Sequence, residues 1–139
     1  MDYFLAANRG VLSATWFDTR YRNLIVFNFG VFPGTTANVD TARTRGLELA
    51  GKFSLPGTVE GRLAYTYLEA VNLTSHTRLL RRPRHSGSLD LWRDFGRGFS
   101  AGAGVAFAAD RRDVHAAPFA TIDAEDYTVV RVYGAWQVN

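Results

Sequence analysis

Arg81-Arg82-Pro83-Arg84 is a compact run of guanidinium groups, and guanidinium groups grip phosphate and carboxylate oxygens. One reading of such a run is a nucleic-acid contact or a nuclear import signal. It is too short for either, and the net charge of +3 is not the one-sided basic excess of a nucleic-acid binder. The other reading makes Arg81, Arg82 and Arg84 surface charges, paired with acidic loops. Asp110, Asp113, Asp123, Glu125 and Asp126 crowd one stretch. Hard oxygen ligands of that kind suit calcium, but a solvated acidic loop explains them better, and no metal site is expected. His76, His85 and His115 share no metal-ligand spacing. Gly96-Arg97-Gly98, with Gly102 and Gly104, would need a strand before and a helix after to act as a nucleotide-binding loop. A strand pattern follows instead, so these are turn and wall glycines. No nucleophile-base pair or paired-carboxylate geometry can be argued, so no catalytic residue is assigned, no cofactor is implied, and the chain is read as not an enzyme.

The residues that could do chemistry sit between segments whose side chains alternate. Leu47, Leu49, Phe53 and Leu55 fall on one parity, and Glu48, Lys52 and Ser54 on the other. A strand sends successive side chains to opposite faces, so this segment has one apolar and one wet face. About six segments read this way, over 11–29, 38–55, 59–69, 79–94, 99–110 and 126–138, with a strand end at 3–5. In the first long segment Leu12, Ala14 and Trp16 share a parity, and a bulge is expected near Asp18 where the pattern turns polar. The connections alternate in length. Those at 6–10, 56–58 and 95–98 are short, and those at 30–37, 70–78 and 111–125 are long. Short periplasmic turns and long extracellular loops are the habit of outer-membrane barrels.

Lipid sharpens the parity argument. Arg or Lys facing mid-bilayer costs roughly 2–4 kcal/mol, and Lys52, Arg62 and Arg131 all lie opposite the apolar parity, free to face a lumen. Phe53, Phe95, Phe99 and Trp136 are placed for a periplasmic aromatic girdle, and Tyr67 and Phe107 for the other rim. A soluble β-sandwich also alternates, but the length of the strands and the many small residues on the wet face favour the membrane. No stretch reaches the run of apolar residues a transmembrane helix needs. The absence of cysteine excludes a disulfide framework. Six strands leave two open edges, which lipid does not tolerate. The chain is therefore expected to be part of a larger barrel or to assemble with copies of itself. Met1-Asp2-Tyr3 does not open a signal peptide, which suggests a truncated frame or an excised piece.

Two stretches carry a resemblance. Asn38-Val39-Asp40-Thr41-Ala42-Arg43-Thr44-Arg45-Gly46-Leu47-Glu48 is similar to the N-V-x-x-A-R-x-R-G-x-E strand opening of TonB-dependent outer-membrane receptors. Leu79-Leu80-Arg81-Arg82-Pro83-Arg84-His85 resembles the L-x-R-R-P-x-H segment of their cobalamin (vitamin B12) branch. Tyr65-Thr66-Tyr67-Leu68 between them and Asp126-Tyr127-Thr128-Val129-Val130 after them resemble that branch too. The resemblance runs from about residue 10 onward. It implies an all-β, antiparallel up-and-down meander within a 22-stranded transmembrane barrel of the bacterial outer membrane. Residues 1–139 would supply strands near its C-terminal end, without the plug and the closing strands.

What the resemblance implies for function is capture of a large scarce nutrient, cobalamin or a similar chelate, at extracellular loops. Import would be driven by the TonB complex acting through a plug that this chain does not carry. Outer-membrane lipid and lipopolysaccharide would be further partners, and nucleic acid none. Arg81 matches a corrin-contacting position, and Arg82 beside it is the second candidate ligand-binding residue. The ligand-contacting aromatic expected after the fifth strand is replaced by Asp113-Val114-His115-Ala116, a departure from the cobalamin pattern. A siderophore or haem receptor, a non-functional remnant and a small soluble β ligand-binding protein stand as alternatives.

Overall fold

A computed structural model describes residues 2–4, 9–28, 35–115 and 120–138. Ten strands are described: β1 (Asp2–Phe4), β2 (Gly10–Asn28), β3 (Thr35–Leu55), β4 (Val59–Asn72), β5 (Thr77–Arg78), β6 (His85–Gly96), β7 (Phe99–Ala109), β8 (Arg111–Val114), β9 (Thr121–Ala124) and β10 (Tyr127–Trp136). Six are long; together with the short β1 they lie in the order β1-β2-β3-β4-β6-β7-β10, each antiparallel to the next, with β5 folded back onto β4. This is the all-β meander the alternation predicts. β8 and β9 form a separate two-stranded hairpin.

The sheet is a single layer. Among the described residues, the buried apolar side chains are only the alanines Ala42, Ala70 and Ala108. Trp16, Val130, Val132 and Trp136 are 64–81% exposed. A soluble sandwich would cover such side chains with a second sheet; here they lie open on one face, as a lipid-facing wall requires. Register confirms the two faces. Leu12 stands beside Gly51 and Leu63, and Leu89 beside Leu63 and Val105, which pairs Val130. On the opposite face Lys52, Arg62, Asp90, Gly104 and Arg131 form one row across five strands. No described helix is long and apolar enough to cross a membrane, which says nothing of strands that do.

Glycines in the wall have a consistent neighbour. Gly46 lies opposite Phe17, Gly61 opposite Phe53, Gly87 opposite Phe107 and Gly102 opposite Tyr133. In each pair the ring lies over the missing side chain, and a Cβ there would come within 2.2–2.8 Å of it. A large ring against a bare backbone fills the surface without splaying the strands.

Four expectations need correction. The β2–β3 register runs unbroken past Asp18 (Phe17↔Gly46, Asp18↔Arg45, Thr19↔Thr44), so no bulge lies there. The backbone departure falls at Asn23, whose φ is 56°. The fourth long strand begins at His85 rather than 79. Arg81 holds a left-handed φ of 58° and Pro83 lacks an amide donor, and neither suits a ladder. The third long strand, read as 59–69, continues to Asn72, where it holds β5. Finally, residues 111–125, read as one long polar loop, contain among the described residues the paired strands β8 and β9. The turn read at 6–10 and the loop read at 30–37 fall largely outside the described residues.

Candidate functional site

The long connections gather at one end of the sheet, and two of them bind to each other. β4 ends at Asn72, whose side-chain oxygen accepts the amides of Thr74 (2.8 Å) and Ser75 (3.1 Å), an Asx turn that reverses the chain. β5 then pairs back on β4, and Leu79 donates to the carbonyl of Ala70 (2.9 Å). After the left-handed turn at Arg81, the Leu68 amide donates to the Arg84 carbonyl (2.9 Å). Facing this loop, the chain leaves β7 at Asp110 and enters the β8–β9 hairpin.

Three arginines of the first loop hold the second. Asp110 accepts from Arg78 (2.6 Å) and from Arg84 (2.9 Å). Asp113 accepts from Arg81 Nε at 2.9 Å, while the Arg81 amide donates to the Arg112 carbonyl at 2.8 Å. The Asp110 amide donates to Asp126 (2.8 Å), and the Arg111 guanidinium sits 4.8 Å from the ring centre of Tyr127. The Arg78 guanidinium, with Arg84 behind it, holds the Asp110 carboxyl below the usual carboxylate range, against the opposing effect of partial burial. Asp113 is lowered too, first by the Val114 amide and then by Arg81. The acidic stretch is therefore an arginine-braced scaffold. Asp110, Asp113 and Asp123 each face arginine, and no group of acids and histidines among the described residues is placed to hold a metal.

The two candidate ligand-binding arginines occupy the turn between β5 and β6. Arg81 spends its Nε and its amide on the hairpin, with the side chain still 58% exposed. Arg82, next to it, is exposed. Asp113 and Val114 lie in β8 and His115 follows it, so no aromatic stands at these three positions; Ala116 falls outside the described residues. The sequence pointed to Arg81 and Arg82 as ligand contacts and offered acidic loops as partners for Arg81, Arg82 and Arg84, as Arg81–Asp113 and Arg84–Asp110 now show, but it did not single out Asp110, the carboxylate that joins the loops. Its signal was the acidic cluster, which names no partner until the strands are in register.

The wet face carries a second feature. A hollow on it is bordered by Arg9, Lys52, Arg62, Asp90, Trp92 and Arg131. Arg131 reaches across Gly104 to chelate the Asp90 carboxylate with contacts of 2.6–3.0 Å. A side chain at 104 would collide with both partners.

A profile of TonB-dependent receptor-like β-barrels matches residues 1–139. A search of curated sequences gives no match. Among solved structures, the copper transporter OprC is similar at TM-score 0.75 and 19% identity, covering 99% of this chain and 22% of that one. Pseudomonas aeruginosa FpvA, solved with an iron-loaded heterologous pyoverdine, is similar at 0.72 and 18%, covering 95% and 19%. The Acinetobacter baumannii siderophore receptor PiuA is similar at 0.68 and 19%, covering 99% and 21%. The chain thus spans about a fifth of the length of these proteins, and identities this low speak for the fold alone. With a family profile matched along its whole length, on a single-layer meander with one apolar face, the chain belongs to the TonB-dependent receptor-like β-barrel family, whose members are outer-membrane transport proteins and not enzymes.

Proposed function

We propose that these strands form the wall and part of the extracellular rim of a receptor that captures a scarce metal chelate, with cobalamin as its cargo. Import would then depend on the TonB complex acting through a plug carried elsewhere in the receptor. On this reading residues 1–139 lie toward the C-terminal end of a 22-stranded barrel. The observation that carries the ligand assignment is the placement of Arg81 and Arg82 on a braced turn at the long-loop end. A guanidinium held by Asp113 keeps its position at the rim, and guanidinium is the side-chain group that best matches the amide and phosphate oxygens of a corrin ligand. Arg82 would supply a second donor.

A second reading, a siderophore receptor, is favoured by the pyoverdine complex of FpvA and by the siderophore receptor PiuA. Equilibrium binding to the barrel that contains these strands separates the two. The cobalamin reading expects cyanocobalamin to bind, with at least about a tenfold loss in Arg81→Ala or Arg82→Ala. Binding of a ferric siderophore with no response to cyanocobalamin overturns it in favour of the second reading.

A further inference from the structure

The clasp between the two rim loops has two tiers. The inner tier is Asp110, taken by Arg78 at 2.6 Å and by Arg84 at 2.9 Å, and the Arg78 side chain is only 15% exposed. Backbone closes the same joint, since the Arg84 amide donates to the Asp110 carbonyl at 3.2 Å. The outer tier is the contact of Arg81 Nε with Asp113 at 2.9 Å, where the Arg81 side chain is 58% exposed. An ion pair this open to water contributes little and is weakened further by salt. The inner tier holds the loops together, and the outer tier can open at small cost.

The surroundings of Asp113 lower that cost. The oxygen that meets Arg81 also accepts the Val114 amide at 2.8 Å, so the carboxylate keeps a protein partner when Arg81 leaves it. Arg111 attracts it as well. The root of the β8–β9 hairpin is tied independently, by Arg111 donating to the Glu125 carbonyl and by the Asp110 amide donating to Asp126. Opening the outer tier therefore loosens the far end of the hairpin, where Asp113 and Val114 pair Ile122 and Thr121, and leaves the root in place. Chemically, Asp113 is an anion seated on the guanidinium assigned above to the anionic part of the cargo. A carboxylate and a phosphodiester compete for the same donors.

We infer that Asp113 is an internal competitor for Arg81: it occupies the guanidinium in the empty receptor, and an incoming phosphate oxygen displaces it and releases the far end of the hairpin. This rests on the reading of Arg81 as a ligand contact. The test uses the barrel containing these strands, purified in detergent, with cyanocobalamin and with dicyanocobinamide, a corrin that lacks the phosphodiester. Asp113→Asn keeps an oxygen for the Val114 amide and removes the charge. It should bind cyanocobalamin about two- to fivefold more tightly than the wild type does, and dicyanocobinamide no more tightly. A gain of equal size for both corrins, or no gain for cyanocobalamin, overturns the inference and leaves the cobalamin reading standing. A wild type that binds neither corrin overturns that reading, and the inference with it. Hydrogen exchange of the wild type needs no variant. The His115 amide, bonded to the Ala120 carbonyl at 2.9 Å, and the amides of Thr121 and Ile122 should exchange faster with cyanocobalamin bound than without it. Equal or slower exchange overturns the inference.

Discussion

Alanine at position 46 should unfold this wall far more readily than alanine at position 51, although both replace a glycine of β3. An ideal Cβ on Gly46 would stand 2.0 Å from the Tyr67 carbonyl oxygen and 2.8 Å from the Phe17 ring. An ordinary contact is about 3.4 Å, so β3 and β4 would have to part by about 1.4 Å at that row. Backbone cannot rotate away as a side chain can. Overpacking of this kind costs about 1–3 kcal/mol, and loosening the adjoining ladder bond adds about 1 kcal/mol. The sum for Gly46→Ala is about 3 kcal/mol. At Gly51 the nearest atom is the terminal methyl of Leu12 at 3.3 Å, which can yield. There the smaller entropy of the unfolded alanine chain should dominate, for a gain of about 0.5 kcal/mol. Urea unfolding of the barrel in detergent micelles, followed by tryptophan fluorescence, measures both. Coincident midpoints for the two variants would refute the claim that the ladder carbonyl of Tyr67 is what requires glycine at 46.

Other consequences are equally open to measurement. Phe107→Ala should uncover Gly87 and cost about 1–3 kcal/mol, with Gly87→Ala and Phe107→Ala strongly non-additive in a double-mutant cycle because the ring occupies the space the methyl needs; additive values would break the pairing rule. Arg131→Gln should leave the unfolding midpoint almost unmoved, since the Arg131 side chain is 55% exposed, whereas Gly104→Ala should lower it clearly by displacing both partners at once; the reverse order would refute the account. Carboxyl NMR should find Asp110 and Asp113 titrating below the ordinary aspartate value of about 3.9. Because their folded values are depressed, the stabilisation they give the rim is full above the unfolded value and is lost as pH falls through the folded one. Arg78→Ala should raise the Asp110 midpoint and Arg81→Ala that of Asp113, and unmoved midpoints would exclude these arginines as the cause.

The wall was legible in the sequence because lipid and lumen impose a strict period of two. The parity of Leu47, Leu49 and Phe53 against Glu48 and Lys52 survives intact in the register, as does the sharing of one face by Lys52, Arg62 and Arg131. The turn over 96–98 was legible too, since left-handed φ values of 77° and 75° at Gly96 and Gly98 are what glycine supplies most easily. The rim was not. Leu79 and Leu80 look like the start of a strand, but beyond the membrane no face must stay apolar, so local turn geometry at Arg81 and Pro83 decides. β8, Arg111-Arg112-Asp113-Val114, gives no alternation to detect: three charged residues precede its one apolar residue, and all four are half-buried alike. The partners Arg78 and Asp110 lie 32 residues apart, and only the pairing of β4 with β6 and β6 with β7 brings them together.

The arginine clasp between the two loops changes what an approaching antibody or phage would meet. Arg78, Arg81 and Arg84 from one loop and Asp110 and Asp113 from the other form a single composite epitope. A synthetic peptide copying residues 73–84 alone would lack the carboxylates that set its shape, so antisera raised against it should recognise the denatured chain better than the folded surface. A graft carrying both loops on a two-hairpin scaffold should reverse that preference.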